Sequence, residues 1–134
     1  MAKKSSTTAF DFGVLWLRVF MGTGIAYHGY GKVFGGHMAK MIEGVGHMGF
    51  PYPEVFAWAA ALSEFLGGIL IVLGLFTRPA AFFVACTMTV AAFVAHAKDP
   101  LATKELALAY LVMAVTVLIL GAGQVSADSN LKNK

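Results

Sequence analysis

Arg18, His28 and Lys32 lie within one apolar run, and Glu64 lies within the next. A guanidinium, an imidazole, an ammonium and a carboxylate can bind carbonyl or hydroxyl oxygens and exchange protons. Inside a bilayer they are expensive: an ionised side chain at mid-membrane costs at least about 2.5 kcal/mol on insertion scales, so such groups face inward and neutralise one another. At about 100° per residue, Lys32 falls about 40° and His28 about 80° from Arg18 around one helix, so the three share a broad face. By depth, an Arg18–Glu64 ion pair is the expected centre of the bundle. It would either fix helix register or line a cavity for the polar head of an amphipathic ligand. A second polar cluster is expected toward the outer surface, where His96, Asp99 and Glu105 approach His28 and Lys32. Each group there has a plainer alternative: Lys32 can snorkel to the headgroups, and His28 can be a hydrogen-bonded packing residue.

The elements that must hold these groups follow from composition. The 134 residues are 58% hydrophobic and 13% charged, with a mean hydropathy of +0.73, outside the range of soluble domains. A bilayer core about 30 Å thick takes about 20 apolar helical residues per crossing. Four runs qualify, at about residues 12–34, 55–76, 79–95 and 105–121. None alternates apolar and polar residues as a barrel strand would. The expected fold is all-α: a four-transmembrane-helix antiparallel bundle with a long outer loop between helices 1 and 2. One membrane domain, residues 12–122, would lie between a cytoplasmic tail, 1–11, and a disordered polar tail, 123–134. Thr77-Arg78-Pro79 leaves room only for a tight hairpin between the second and third helices. In the long connection, 35–54, Met38, Met41, Ile42, Val45 and Met48 recur at helical spacing. They suit either a short surface helix or an ordered loop, lying over the outer cluster.

Lys3, Lys4, Arg78, Lys132 and Lys134 fall on one side and Lys40, Lys98 and Lys104 on the other, five against three, which favours both termini inside. The basic start resembles a signal peptide, but Arg18 interrupts the apolar stretch, so the first helix is expected to be retained. Cys86 is the only cysteine, which excludes an intrachain disulfide and a CxxC site. No spacing marks a metal site, and no basic surface points to nucleic acid. His28 and His96 could be imagined as axial haem ligands, but His96 lies near the surface and four modest helices enclose little room for a porphyrin. Neither inverted repeats nor paired broken helices suggest a transporter. No residue pattern by itself assigns a reaction.

The run "LRVFMGTGIAYHGYGKVFG", then "FPYPEVFAWAAALSEFLGGILIVLGLFTRPAAFF" and a closing "GAGQVSAD", resembles the DoxX family, DoxX/DoxD-like small four-helix integral membrane proteins. The resemblance covers roughly residues 12–128. It rests on Arg18, on His28-Gly29 with Lys32, on Glu64 with Gly67-Gly68, on Gly74 before Thr77-Arg78, and on Ser126 with Asp128. The chain departs from it at Ala122 and Gln124, where the family pattern resembles Gly-Pro-Gly-Arg. The resemblance implies a bacterial inner-membrane protein and, since some members are associated with complexes that pass electrons to quinone, a quinone-linked oxidoreductase system. In that setting Arg18, His28, Lys32 and Glu64 would form a quinone-headgroup pocket. A partner subunit would carry the redox centre, because no covalent cofactor is expected here. The alternative is a non-catalytic structural or accessory subunit of a larger membrane complex, or of a homo-oligomer.

Overall fold

The computed structural model describes residues 2–134, with side chains from residue 8 onward, so Met1 and the Lys3 and Lys4 side chains lie outside it. Apolar runs without internal proline propagate as helix, and every described element is helical. Helix α1 covers Ala2–Val33, α2 Met38–His47, α3 Pro53–Leu73, α4 Thr77–Val90, α5 Leu101–Leu120 and α6 Ala127–Lys132. A π turn, Ala91–Ala95, prolongs α4. Among the described residues, four stretches are long and apolar enough to cross a membrane: Thr8–Val33, Pro53–Leu73, Thr77–Ala95 and Leu101–Leu120.

Two expectations need correction. Residues 2–11, read as a tail, continue α1, because nothing between Ala2 and Phe12 breaks a helix. The polar end, read as disordered, contains α6. Ser126 caps it, its hydroxyl accepting from the Ser129 N–H at 3.1 Å. The ambiguous connection holds α2, whose Val45 is buried and which packs mainly on α3.

α3 stops at Gly74, left-handed at φ 68°, whose N–H turns back to Ile71 while the Leu75 N–H reaches the Leu70 carbonyl. Glycine is the residue that accepts this cap without strain. The hairpin and the α5–α6 corner, where Gly121 and Gly123 have positive φ, lie at the same pole of the bundle as Asp11 of α1, here called the terminal pole. The opposite, loop pole holds the end of α1, the π turn and the start of α5.

α1 and α3 lie antiparallel at very short range. A Cβ on Gly68 would stand 2.6 Å from both the Ala26 nitrogen and the Gly22 oxygen, and one on Gly22 would stand 2.7 Å from the Gly68 oxygen. Small residues permit this approach, and in lipid such close packing is what associates helices. α4 and α5 close the bundle around Met21, Ile25, Ile71, Val84, Met88 and Val117. Large apolar side chains such as Phe20, Phe83 and Ile119 point outward, as a lipid-embedded surface requires.

Candidate functional site

The polar groups form two centres, one at each pole. At the terminal pole Arg18, 1% exposed, is held by backbone carbonyls. Nη1 donates to Ala122 O and, at 3.1 Å, to Val125 O; Nη2 donates to Val125 O at 3.0 Å and to Val72 O at 3.4 Å. Val72 is in the last turn of α3, whose free carbonyls form the negative end of the helix dipole, and a cation is favoured there. Gly74 has to be small as well as left-handed. A Cβ there would stand 2.5 Å from the Ser126 Cβ and 2.8 Å from Arg18 Nη1.

Asp128 completes this knot. Its carboxylate accepts from the Phe76 N–H at 2.9 Å and the Thr77 N–H at 3.0 Å, capping α4, which has no cap from its own chain neighbours. Burial pushes the Asp128 carboxyl up, but the hydrogen bonds from Thr77 and Phe76 and the charge of Lys132 outweigh it and hold the group below its ordinary 3.8. Ala122 and Gln124, where the sequence departs from the family pattern, take part through their backbone: Ala122 O accepts from Arg18, and the Gln124 N–H donates to Asp11 at 3.0 Å. An open hollow of about 690 Å³ lies beside the knot. Its principal charged groups are already engaged, Asp128 by α4 and Arg78 by the Ile119 carbonyl at 3.3 Å.

The expected Arg18–Glu64 pair does not form. Glu64, 2% exposed, instead receives Lys32, whose Nζ lies 2.7 Å from both carboxylate oxygens. The offset between α1 and α3 decides this. Gly29 rests on Phe65 and Gly22 on Gly68 and Val72, so Arg18 faces the end of α3 while Lys32 faces Glu64. At 1.5 Å per residue, Glu64 and Val72 are about 12 Å apart along α3. Lys32 thus turns inward to a carboxylate rather than outward to headgroups, though 31% of its side chain stays accessible.

This pair opens on a cavity of about 180 Å³. His28 and Ile25 line it from α1, Glu64 from α3, Met88, Ala91 and His96 from α4 and its π turn, and Thr103, Leu106, Ala107 and Tyr110 from α5. Of the outer cluster, His96 reaches the cavity wall and Asp99 joins through it, Nδ1 to Oδ2 at 2.7 Å. Glu105 is not part of the lining, and neither is any residue of 35–54, so α2 does not roof the cavity. Among the described residues no three His, Cys, Asp or Glu side chains gather as a metal site would need.

Sequence reasoning missed Tyr110. It stands edge-on to His28, centroids 6.0 Å apart, and its hydroxyl occupies the space that a side chain at Gly24 would fill. A tyrosine in the otherwise apolar stretch Leu106–Val115 of α5 is the available signal, because its hydroxyl needs somewhere polar to point. The site therefore offers an ammonium, a carboxylate, two imidazoles and a phenol around a small space walled by aliphatic side chains, a set suited to oxygen-bearing rings and to proton exchange.

The model of the DoxX family matches residues 13–97, more than half of the chain. An uncharacterized protein of Haemophilus influenzae is 33% identical over 126 residues, covering 89% of this chain and 90% of its own length. No solved structure matches.

Proposed function

This chain belongs to the DoxX family, and from that premise we propose that it is the membrane subunit of a quinone-linked oxidoreductase system, holding a quinone head in the loop-pole cavity. The observation that carries this reading is the Lys32–Glu64 pair: a carboxylate at 2% exposure, met by an ammonium that still faces a cavity containing His28 and Tyr110. Lys32, His28 and Tyr110 can donate to quinone carbonyls, and Glu64 can give or take the proton that quinone reduction or quinol oxidation moves. A cavity of about 180 Å³ is smaller than the roughly 300 Å³ at which pockets for whole drug-sized ligands begin, so it would take the ring alone. The tail of the ligand would run into lipid. Electrons would come from a redox centre on a partner subunit. Arg18 drops out of the pocket in this reading and serves as a clamp. The lysine and arginine bias supports a topology with both termini on the cytoplasmic face.

A non-catalytic accessory role is favoured by one feature. The most apolar stretch of α5 is 11% buried, against 33% in each of the other three spans, which leaves a whole helix face for another membrane subunit. A photoreactive quinone analogue added to the protein in lipid nanodiscs separates the two readings. Labelling near His28, His96 or Tyr110, competed by unmodified quinone and weakened about ten- to a hundredfold by Lys32→Met, supports the quinone site, since a hydrogen bond to a charged group is worth about 1.5–3 kcal/mol. Labelling confined to the outer helix faces supports the accessory role.

A further inference from the structure

Glu64, 2% exposed, is shut off from bulk water except through the cavity, and Lys32, its one charged partner among the described residues, holds both of its oxygens. A proton bound for that carboxylate needs a route, and the loop pole contains one. The π turn Ala91–Ala95 closes with the His96 N–H donating to Ala91 O at 3.0 Å. It inserts one residue relative to an α-helix, so His96 takes the angular position that Ala95 would otherwise hold; such turns recur at functional sites. As a result the His96 ring lines the same cavity as Glu64 yet remains 41% exposed. Its Nδ1 lies 2.7 Å from Asp99 Oδ2, and Asp99 is itself 44% exposed. A carboxylate at Nδ1 fixes the tautomer and the ring orientation, leaving Nε2 to exchange protons.

We propose that His96, oriented by Asp99, relays protons between the water at the loop pole and the buried carboxylate of Glu64. A proton from bulk water binds Nε2 while Asp99 holds the ring through Nδ1. The proton then passes through water in the cavity to a Glu64 oxygen, and His96 returns to its neutral form; release runs in reverse. A space of about 180 Å³ is the volume of about six liquid waters, enough for a short chain. His96 faces His28 and Lys32 on α1, Glu64 on α3 and Tyr110 on α5, with Asp99 on its own turn. Lys104, which donates to the Ala97 carbonyl at 3.2 Å, adds a positive charge beside the rim. The relay rests on the quinone reading for its purpose, but its test needs no quinone.

The experiment is an acid jump on the intact protein in lipid nanodiscs, followed by time-resolved infrared absorption of the carboxyl band that Glu64→Gln removes. In His96→Ala the band should rise at least about tenfold more slowly, since a positioned proton-transfer group contributes about 10²–10⁴-fold. Its final amplitude should equal that of the unsubstituted protein, and added imidazole should restore the rate. Asp99→Asn should give an intermediate rate. An unchanged rate in His96→Ala overturns the relay, as does a changed amplitude at an unchanged rate, which would make His96 a neighbour that biases Glu64 rather than a route to it. A protein that shows the His96-dependent rate but fails to label with the quinone analogue loses the quinone reading and keeps the relay.

Discussion

Replacing the two members of the loop-pole ion pair should have very unequal costs. In Lys32→Met the Glu64 carboxylate, 2% exposed, is left without its counter-charge, and stranding a buried charge costs about 3–5 kcal/mol. In Glu64→Gln the stranded group is an ammonium on a flexible stem that is already 31% exposed. It can swing toward water or headgroups, so the loss should be about 1 kcal/mol, as for a surface pair. The double variant has neither charge and nearly the original volume, and should fall within about 2 kcal/mol of the unsubstituted protein. The cycle then gives an interaction energy of about 2–6 kcal/mol. Unfolding free energies in bicelles, measured by steric trapping for all four proteins, would supply the numbers. Equal losses in the two single variants, or a double variant whose loss is their sum, would refute the argument that burial and pairing of Glu64 govern this end of the bundle.

Two further outcomes concern the scaffold. Gly68→Ala puts a Cβ 2.6 Å from backbone atoms of α1, and overpacking of this kind costs about 1–3 kcal/mol. Gly44→Ala in α2 meets nothing within 4 Å and should gain up to about 1 kcal/mol of helix propensity, so thermal melts in nanodiscs should shift in opposite directions for the two. Asp128→Ala removes the cap of α4 and should cost about 0.5–2 kcal/mol at neutral pH. Because the folded state holds the Asp128 carboxyl below its ordinary 3.8, its stabilisation is present above that value and is lost as pH falls through the lower, folded one. The difference between Asp128→Ala and the unsubstituted protein should therefore shrink in acid titrations below pH 3.8, and a gap that persists there would contradict the assignment.

The identity of each ion partner was beyond the reach of the sequence. Helical periodicity gives the angle of a residue around its own axis: Arg18 is buried and Lys32 half-buried on that face, while His28, farther round it, lines the loop-pole cavity but stays exposed. Periodicity gives no axial offset between two helices. That offset comes from where glycines let the backbones touch, and contacts at Gly22, Gly29 and Gly68 moved Glu64 from Arg18 to Lys32. Arg18 was equally opaque for another reason: its partners are carbonyls 54, 104 and 107 residues away, groups that every residue carries and no side-chain pattern marks. Nor does any glycine or proline announce the π turn that sets His96 in the cavity wall.

What the sequence determined by itself was the number of spans, the all-α class and the inward placement of the charges, because hydrocarbon penalises each exposed polar group wherever it falls along the chain. The tertiary structure alone decided how those charges divide into a backbone-carbonyl clamp on Arg18 at one pole and a Lys32–Glu64 pair lining a cavity at the other. That division depends on the register between helices, which is fixed by ångström-scale contacts between residues distant in sequence.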